Sequence, residues 1–132
     1  MIRDAEEFIR LRTSATPTDY QRAATDEVPI EVWHEIIQHH SNMRSWVAHN
    51  KAVPAEILTI LAHDPDPEVR LSVAMKNKLS SELMMKLADD EDEGVRRRIV
   101  CNKNASVEVS QKLEKDDLGE IAEMARKRLD LI

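Results

Sequence analysis

The sequence predicts an all-α protein folded as a right-handed α-solenoid of about four short repeats of 25–26 residues, with a helical cap at each end. Three observations predict it. Stretches of the chain repeat at an unbroken offset of 26 residues: Val47, Val73 and Ile99; Ala48, Ala74 and Val100; Glu56, Glu82 and Glu108; Ile57, Leu83 and Val109; Leu61, Leu87 and Leu113. Self-similarity at such a period marks units that stack because none buries its apolar face alone. Composition points the same way. With 2 Gly, 3% aromatic residues and 33% charged residues, the chain lacks the turn residues and the β-branched and aromatic alternation of a sheet protein. At 132 residues it is long enough for one domain with a continuous core and too short for two of ordinary size.

Taken in order, Ala5, Phe8, Ile9 and Leu11 suit an N-terminal helical cap over residues 1–18, with the repeats at 19–118. The first unit appears at offset 25, where Val28-Pro29-Ile30-Glu31-Val32-Trp33 matches Val53-Pro54-Ala55-Glu56-Ile57-Leu58 and Ala23 stands at the place of Ala48. Its leading helix, around Asp19-Tyr20-Gln21-Arg22, lacks the Val-Arg pair of later copies, as suits a unit with a single neighbour. In the next unit Pro54 suits a first helical position, because it has no amide proton to waste. The copy after that begins with a turn at Asp66-Pro67 and places Val69, Val73 and Ala74 on one helical face. Asn77 to Ser80 breaks that helix. Ser80-Ser81-Glu82 opens another, with hydroxyl caps and an acid opposing the helix dipole. Leu83, Met84, Leu87 and Ala88 give it an apolar stripe, and Asp89 to Gly94 closes the unit. Each unit thus reads as a short helix, a turn, a longer helix and an acidic loop. Ile121 keeps the register, and residues 119–132 form a last capping helix.

The run Pro54-x-Glu56-Ile57-Leu58-x-x-Leu61-Ala62-x-Asp64-x-Asp66-x-x-Val69-Arg70-x-x-Val73-Ala74 resembles the leucine-rich repeat variant, a helical relative of HEAT repeats. The resemblance spans roughly residues 22 to 129 and implies alternating short and longer helices. It says little about function. The family's founding member is associated with an iron–sulphur cluster held by several cysteines, and this chain has only Cys101, so no cofactor is carried over.

Charge bears on partners. The net charge of −6 argues against nucleic acid, whose binding surfaces carry clustered Lys and Arg, and favours a basic protein partner. No apolar run reaches the roughly 18 residues a membrane span needs, and Met1 to Glu7 has no signal-peptide core. With one cysteine and no internal disulfide, the expected setting is the cytoplasm and the expected state alone is a monomer.

The candidate residues fall into four groups. Arg44, Arg70 and Arg96, with Asp64, Asp90 and Asp116, recur once per unit and read as a scaffold ladder, since buried charges need partners. Asp89-Asp90-Glu91-Asp92-Glu93, aligned with Asp66 and Glu68 one unit earlier and with Asp117 one unit later, reads as an acidic rim for a basic partner. His34, His39, His40, His49 and His63 show no metal-ligand spacing, and no metal site is assigned. Trp33 takes the place of Leu58 and is expected to be buried. Trp46, where other copies have Ser72 and Arg98, is a candidate interface anchor.

No nucleophile–base pair, Gly-rich phosphate loop or paired-carboxylate signature is present, and the chain is not read as an enzyme. Its expected role is protein binding, with Trp46, Asp66, Glu68, Asp89, Glu91, Asp92 and Glu93 facing the partner. By analogy of fold and charge alone, its sharpest form is a small acidic bacterial immunity protein that neutralises a basic toxin, such as a nuclease. One alternative is a non-inhibitory scaffold or adaptor. Another is a HEAT-like nucleic-acid-acting enzyme resembling alkylpurine glycosylases, which needs a basic concave face. A lyase-like chaperone of the phycobilin type finds no distinctive residues.

Overall fold

The computed structural model describes residues 1–131. Among them lie ten α-helices, one 3-10 turn and no strand. The chain divides into two compact units, Met1–Asp64 and Pro65–Ile132.

The first unit contains α1 (Ala5–Thr13), α2 (Pro17–Thr25), α3 (Ile30–His39), the 3-10 turn Ser41–Met43, α4 (Arg44–His49) and α5 (Ala55–Leu61). Helix α1 starts where the Asp4 side chain accepts the Glu7 N–H, and it buries Ala5, Phe8 and Leu11. It packs on α2 and α3, where the Phe8 and Trp33 rings meet edge to face with centroids 5.5 Å apart. Such a pair contributes about 0.5–1.5 kcal/mol beyond its area. Trp33 is buried, as its place in the repeat requires. The expected boundary between residues 18 and 19 falls inside α2.

The second unit contains α6 (Pro67–Ala74), α7 (Ser81–Leu87), α8 (Glu93–Val100), α9 (Val107–Leu113) and α10 (Gly119–Asp130). Within it α6 packs on α8, α8 on α10, and α7 on α9. The period of 26 explains the order: equivalent helices meet because they carry the same apolar stripe. Val73 and Ile99 are fully buried, as are Leu87 and Val109, with Leu113 1% exposed. At about 25 cal/mol per Å² of apolar surface removed from water, this stripe is the main stabilising term of helices too short to persist alone.

Two expectations are corrected. The second helix of a unit is the longer one only in the first half of the chain, where α3 and α5 have 10 and 7 residues against 9 and 6 in α2 and α4; α7 and α9 have 7 residues each, against 8 each in α6 and α8. The Asn77–Ser80 break and the acidic loop leave room for only two turns. Pro54 is the N-cap of α5 and not its first residue, with extended backbone at ψ 156°. It stands where Ser80 and Ser106 cap α7 and α9. Those serines accept the N–H groups of Leu83 and Val109. Proline leaves the corresponding donor of α5 without a side-chain cap, and only its fixed φ favours the turn.

Candidate functional site

Each ladder arginine pairs with the aspartate 20 residues ahead. Arg44 Nη1 donates to Asp64 Oδ2 at 3.0 Å, Arg70 Nε to Asp90 Oδ2 at 2.8 Å, and Arg96 Nε to Asp116 Oδ2 at 2.8 Å. Arg70 also donates from Nη2 to Asp90 Oδ1 at 3.1 Å, giving a two-point fork. The side chains of this pair are only 8% and 5% exposed. The Arg70 guanidinium is held above its ordinary pKa, first by its hydrogen bond to Asp90, which outweighs the opposing effect of burial.

The same arginines join loops. Arg70 Nη1 donates to the Pro65 carbonyl at 3.1 Å while its fork holds Asp90. Arg96 Nη1 donates to the Asp90 carbonyl at 2.8 Å while its Nε holds Asp116. The loops before α6, α8 and α10 are thereby stitched side by side on one edge of the second unit. Each of those loops is acidic.

The acids on that edge do different work. Asp66 caps α6 by accepting the Glu68 N–H at 2.9 Å. Asp92 caps α8, its Oδ1 accepting the N–H groups of Gly94 and Val95 at 2.8 and 3.2 Å. Asp90 and Asp116 face inward and also accept the N–H groups of Asp92 and Leu118. Asp92, one of the expected partner-facing acids, is thus committed to the start of α8. Glu68, Asp89, Glu91, Glu93 and Asp117 point outward and are exposed. Asp89 meets the Lys112 ammonium at 2.9 Å, and Glu91 lies 3.8 Å from Arg70 with its side chain 90% exposed.

Trp46 belongs to the first unit. It is 37% exposed. Its equivalents differ from one another: Ser72 is buried and donates to the Glu68 carbonyl, whereas Arg98 is exposed. The Arg12 guanidinium carbon sits 3.3 Å from the Trp46 ring centroid, and the His49 ring is 5.4 Å away. With Tyr20, Ala23 and Ala24 these three line a recess of about 270 Å³.

No family model, curated protein or solved structure matches this chain.

The histidines do not converge. Among the described residues no group of three His, Cys, Asp or Glu side chains is placed to hold a metal ion. His34 and His39 are both exposed on α3, and Cys101 is exposed after α8. No helix of the described residues is long and apolar enough to cross a membrane. Sequence reasoning missed two features. Asn50 is fully buried, with Nδ2 donating to the Ala23 and Asp26 carbonyls at 2.9 and 3.0 Å. Asn102, two periods later, donates to the Lys76 carbonyl at 2.9 Å. The shared period was the signal, obscured because Lys76 stands between them. The other feature is Arg12, which no periodicity connects to Trp46.

Proposed function

We propose that this chain is a protein-binding module, a right-handed α-solenoid of about four repeats similar to the leucine-rich repeat variant, whose acidic edge docks a Lys/Arg-rich protein surface. In its sharpest form it is a cytoplasmic bacterial immunity protein that neutralises a basic toxin such as a nuclease. The observation that carries the reading is the stitching of three acidic loops by Arg70 and Arg96. Collecting like charges on one edge is unfavourable for folding alone. A ladder that holds them in register gives a preorganised negative strip, which steers a basic partner and rejects acidic ones. Nuclease active sites are basic because they bind phosphates, so an acidic strip is chemically suited to occupy one.

The test uses Glu68→Lys, Glu91→Lys and Glu93→Lys together, leaving the capping Asp66 and Asp92 intact, with the matching triple Gln variant as a milder control. Partners captured by the parent protein at low salt are expected to be basic. The Lys variant is expected to lose association rate, and the Gln variant to lose less. The salt dependence of the rate falls in parallel, since steering acts over about 8 Å at physiological ionic strength. Protection of cells against a captured toxin separates inhibition from simple scaffolding. Unchanged partners with unchanged association rates for the Lys variant would refute the acidic-edge reading.

A further inference from the structure

Arg12 differs from four other buried or half-buried arginines of this fold. Arg22, Arg44, Arg70 and Arg96 each hold an aspartate. Among the described residues Arg12 has no carboxylate partner, and its contact is the face of the exposed Trp46 ring at 3.3 Å. The recess beside it is lined by Arg12, Tyr20, Ala23, Ala24, Trp46 and His49. None is acidic, in a chain with 25 Asp and Glu residues. Tyr20 and Trp46 are 40% and 37% exposed.

From this we propose that the recess docks a protein segment presenting a side-chain carboxylate beside an aliphatic side chain. The two halves of the site set the two halves of the ligand. A guanidinium stacked on an aromatic face retains in-plane N–H donors, which match a carboxylate in a fork. Ala23, Ala24, Tyr20 and Trp46, which also line the recess, take apolar surface. The chemistry disfavours the other occupants. A basic segment is repelled by Arg12. A nucleobase would have to displace Arg12 to stack on the same face of Trp46. This pocket is independent of the acidic edge: its residues belong to the first unit, and its partner chemistry is the opposite one.

The probe is the blocked pentapeptide Gly-Leu-Asp-Leu-Gly, with Gly-Leu-Asn-Leu-Gly as its neutral twin and a thymidine octanucleotide as the nucleic-acid arm. The readout is the Trp46 indole N–H and the Arg12 Nε–H in nitrogen-15 spectra, with the indole assigned by Trp46→Phe. The Asp peptide is expected to shift both signals saturably, and the Asn twin to bind about tenfold more weakly. Arg12→Gln is expected to bring the Asp peptide down to the level of its twin. The comparison of the two peptides on the parent protein stands even if Arg12→Gln folds poorly. Equal binding of the twins overturns the proposal, as does absence of any shift at about 10 mM peptide, a concentration that would detect even millimolar affinity. Stronger perturbation of these signals by the oligonucleotide also overturns it, in favour of a nucleic-acid site.

Discussion

Replacing Arg70 by methionine isolates what the ladder contributes, because Met retains most of the stem and removes only the charged fork. In the parent, the fork makes two hydrogen bonds to Asp90, at 2.8 and 3.1 Å, and a third to the Pro65 carbonyl at 3.1 Å. With both side chains under one-tenth exposed, the variant leaves a carboxylate buried without its counter-ion. Breaking such a pair costs about 3–5 kcal/mol. Asp90 keeps the Asp92 N–H at 2.9 Å, which places the expected loss near the lower end, about 3 kcal/mol. For a chain of this length that lowers Tm by roughly 10 °C. Arg70→Met combined with Asp90→Asn is expected to recover part of the loss, since the double change removes the orphaned charge and retains an acceptor for Asp92. The exposed pair Arg97–Glu120, at 2.7 Å, supplies the contrast: Arg97→Met is expected to leave Tm nearly unchanged, because exposed pairs are screened. The raised pKa of Arg70 means its stabilisation is complete below the ordinary arginine value and is lost only as pH rises through the raised one. The loss in Arg70→Met is therefore expected to be constant across the neutral range. The measurement is urea and thermal unfolding of parent, both single Arg variants and the double variant. An Arg70→Met protein as stable as Arg97→Met would refute a structural ladder.

Two further outcomes follow from the core and the caps. Leu87, fully buried on α7, is expected to cost about 2–5 kcal/mol when cut to alanine, measured by urea unfolding; an unchanged midpoint would contradict its place in the stripe. Gly119→Ala meets nothing within 4 Å and is expected to stabilise by up to about 1 kcal/mol, whereas a Cβ at Gly94 would stand 2.9 Å from the Asp92 Oδ1 that caps α8. Gly94→Ala is therefore expected to gain less than Gly119→Ala in paired thermal melts, and equal gains would contradict the cap.

Much of the helical layout was legible because the period of 26 lets one copy interpret another. Val47, Val73 and Ile99 are each fully buried, and an apolar residue that recurs at fixed spacing marks the buried face of successive helices. The ladder was legible for the same reason, since a charge that recurs where apolar neighbours recur must be satisfied inside. Caps were read less well. Asp92 sits in a run of five acids and looks like its neighbours, yet its carboxylate takes two N–H groups of α8. Only backbone geometry distinguishes it from Glu91. The relative lengths of α6 to α9 were misread, though not those of α2 to α5, because an apolar stripe shows which face is buried, not where the hydrogen-bonded turns end. Arg12 was invisible. Its contact with Trp46 joins α1 to α4, and nothing along the chain relates those positions.

The division of labour among the acids bears on whether binding and stability can be separated. In the loop before α8, Asp90 is committed to Arg70 and to the Asp92 N–H, and Asp92 is committed to the start of the helix. Asp89, Glu91 and Glu93 remain outward. The loop before α10 repeats the scheme, with Asp116 inward on Arg96 and Leu118 N–H, and Asp117 outward. Inward acids thus hold the loops in place, and outward acids supply a negative strip. An ion pair buried only for stability has apolar replacements that do as well or better. Here such a replacement at Arg70 would also free the loop before α6 from the loop before α8, because one guanidinium holds Pro65 and Asp90 together. The ladder at Arg70 therefore does two things at once: it neutralises a buried carboxylate and it ties two acidic loops to each other.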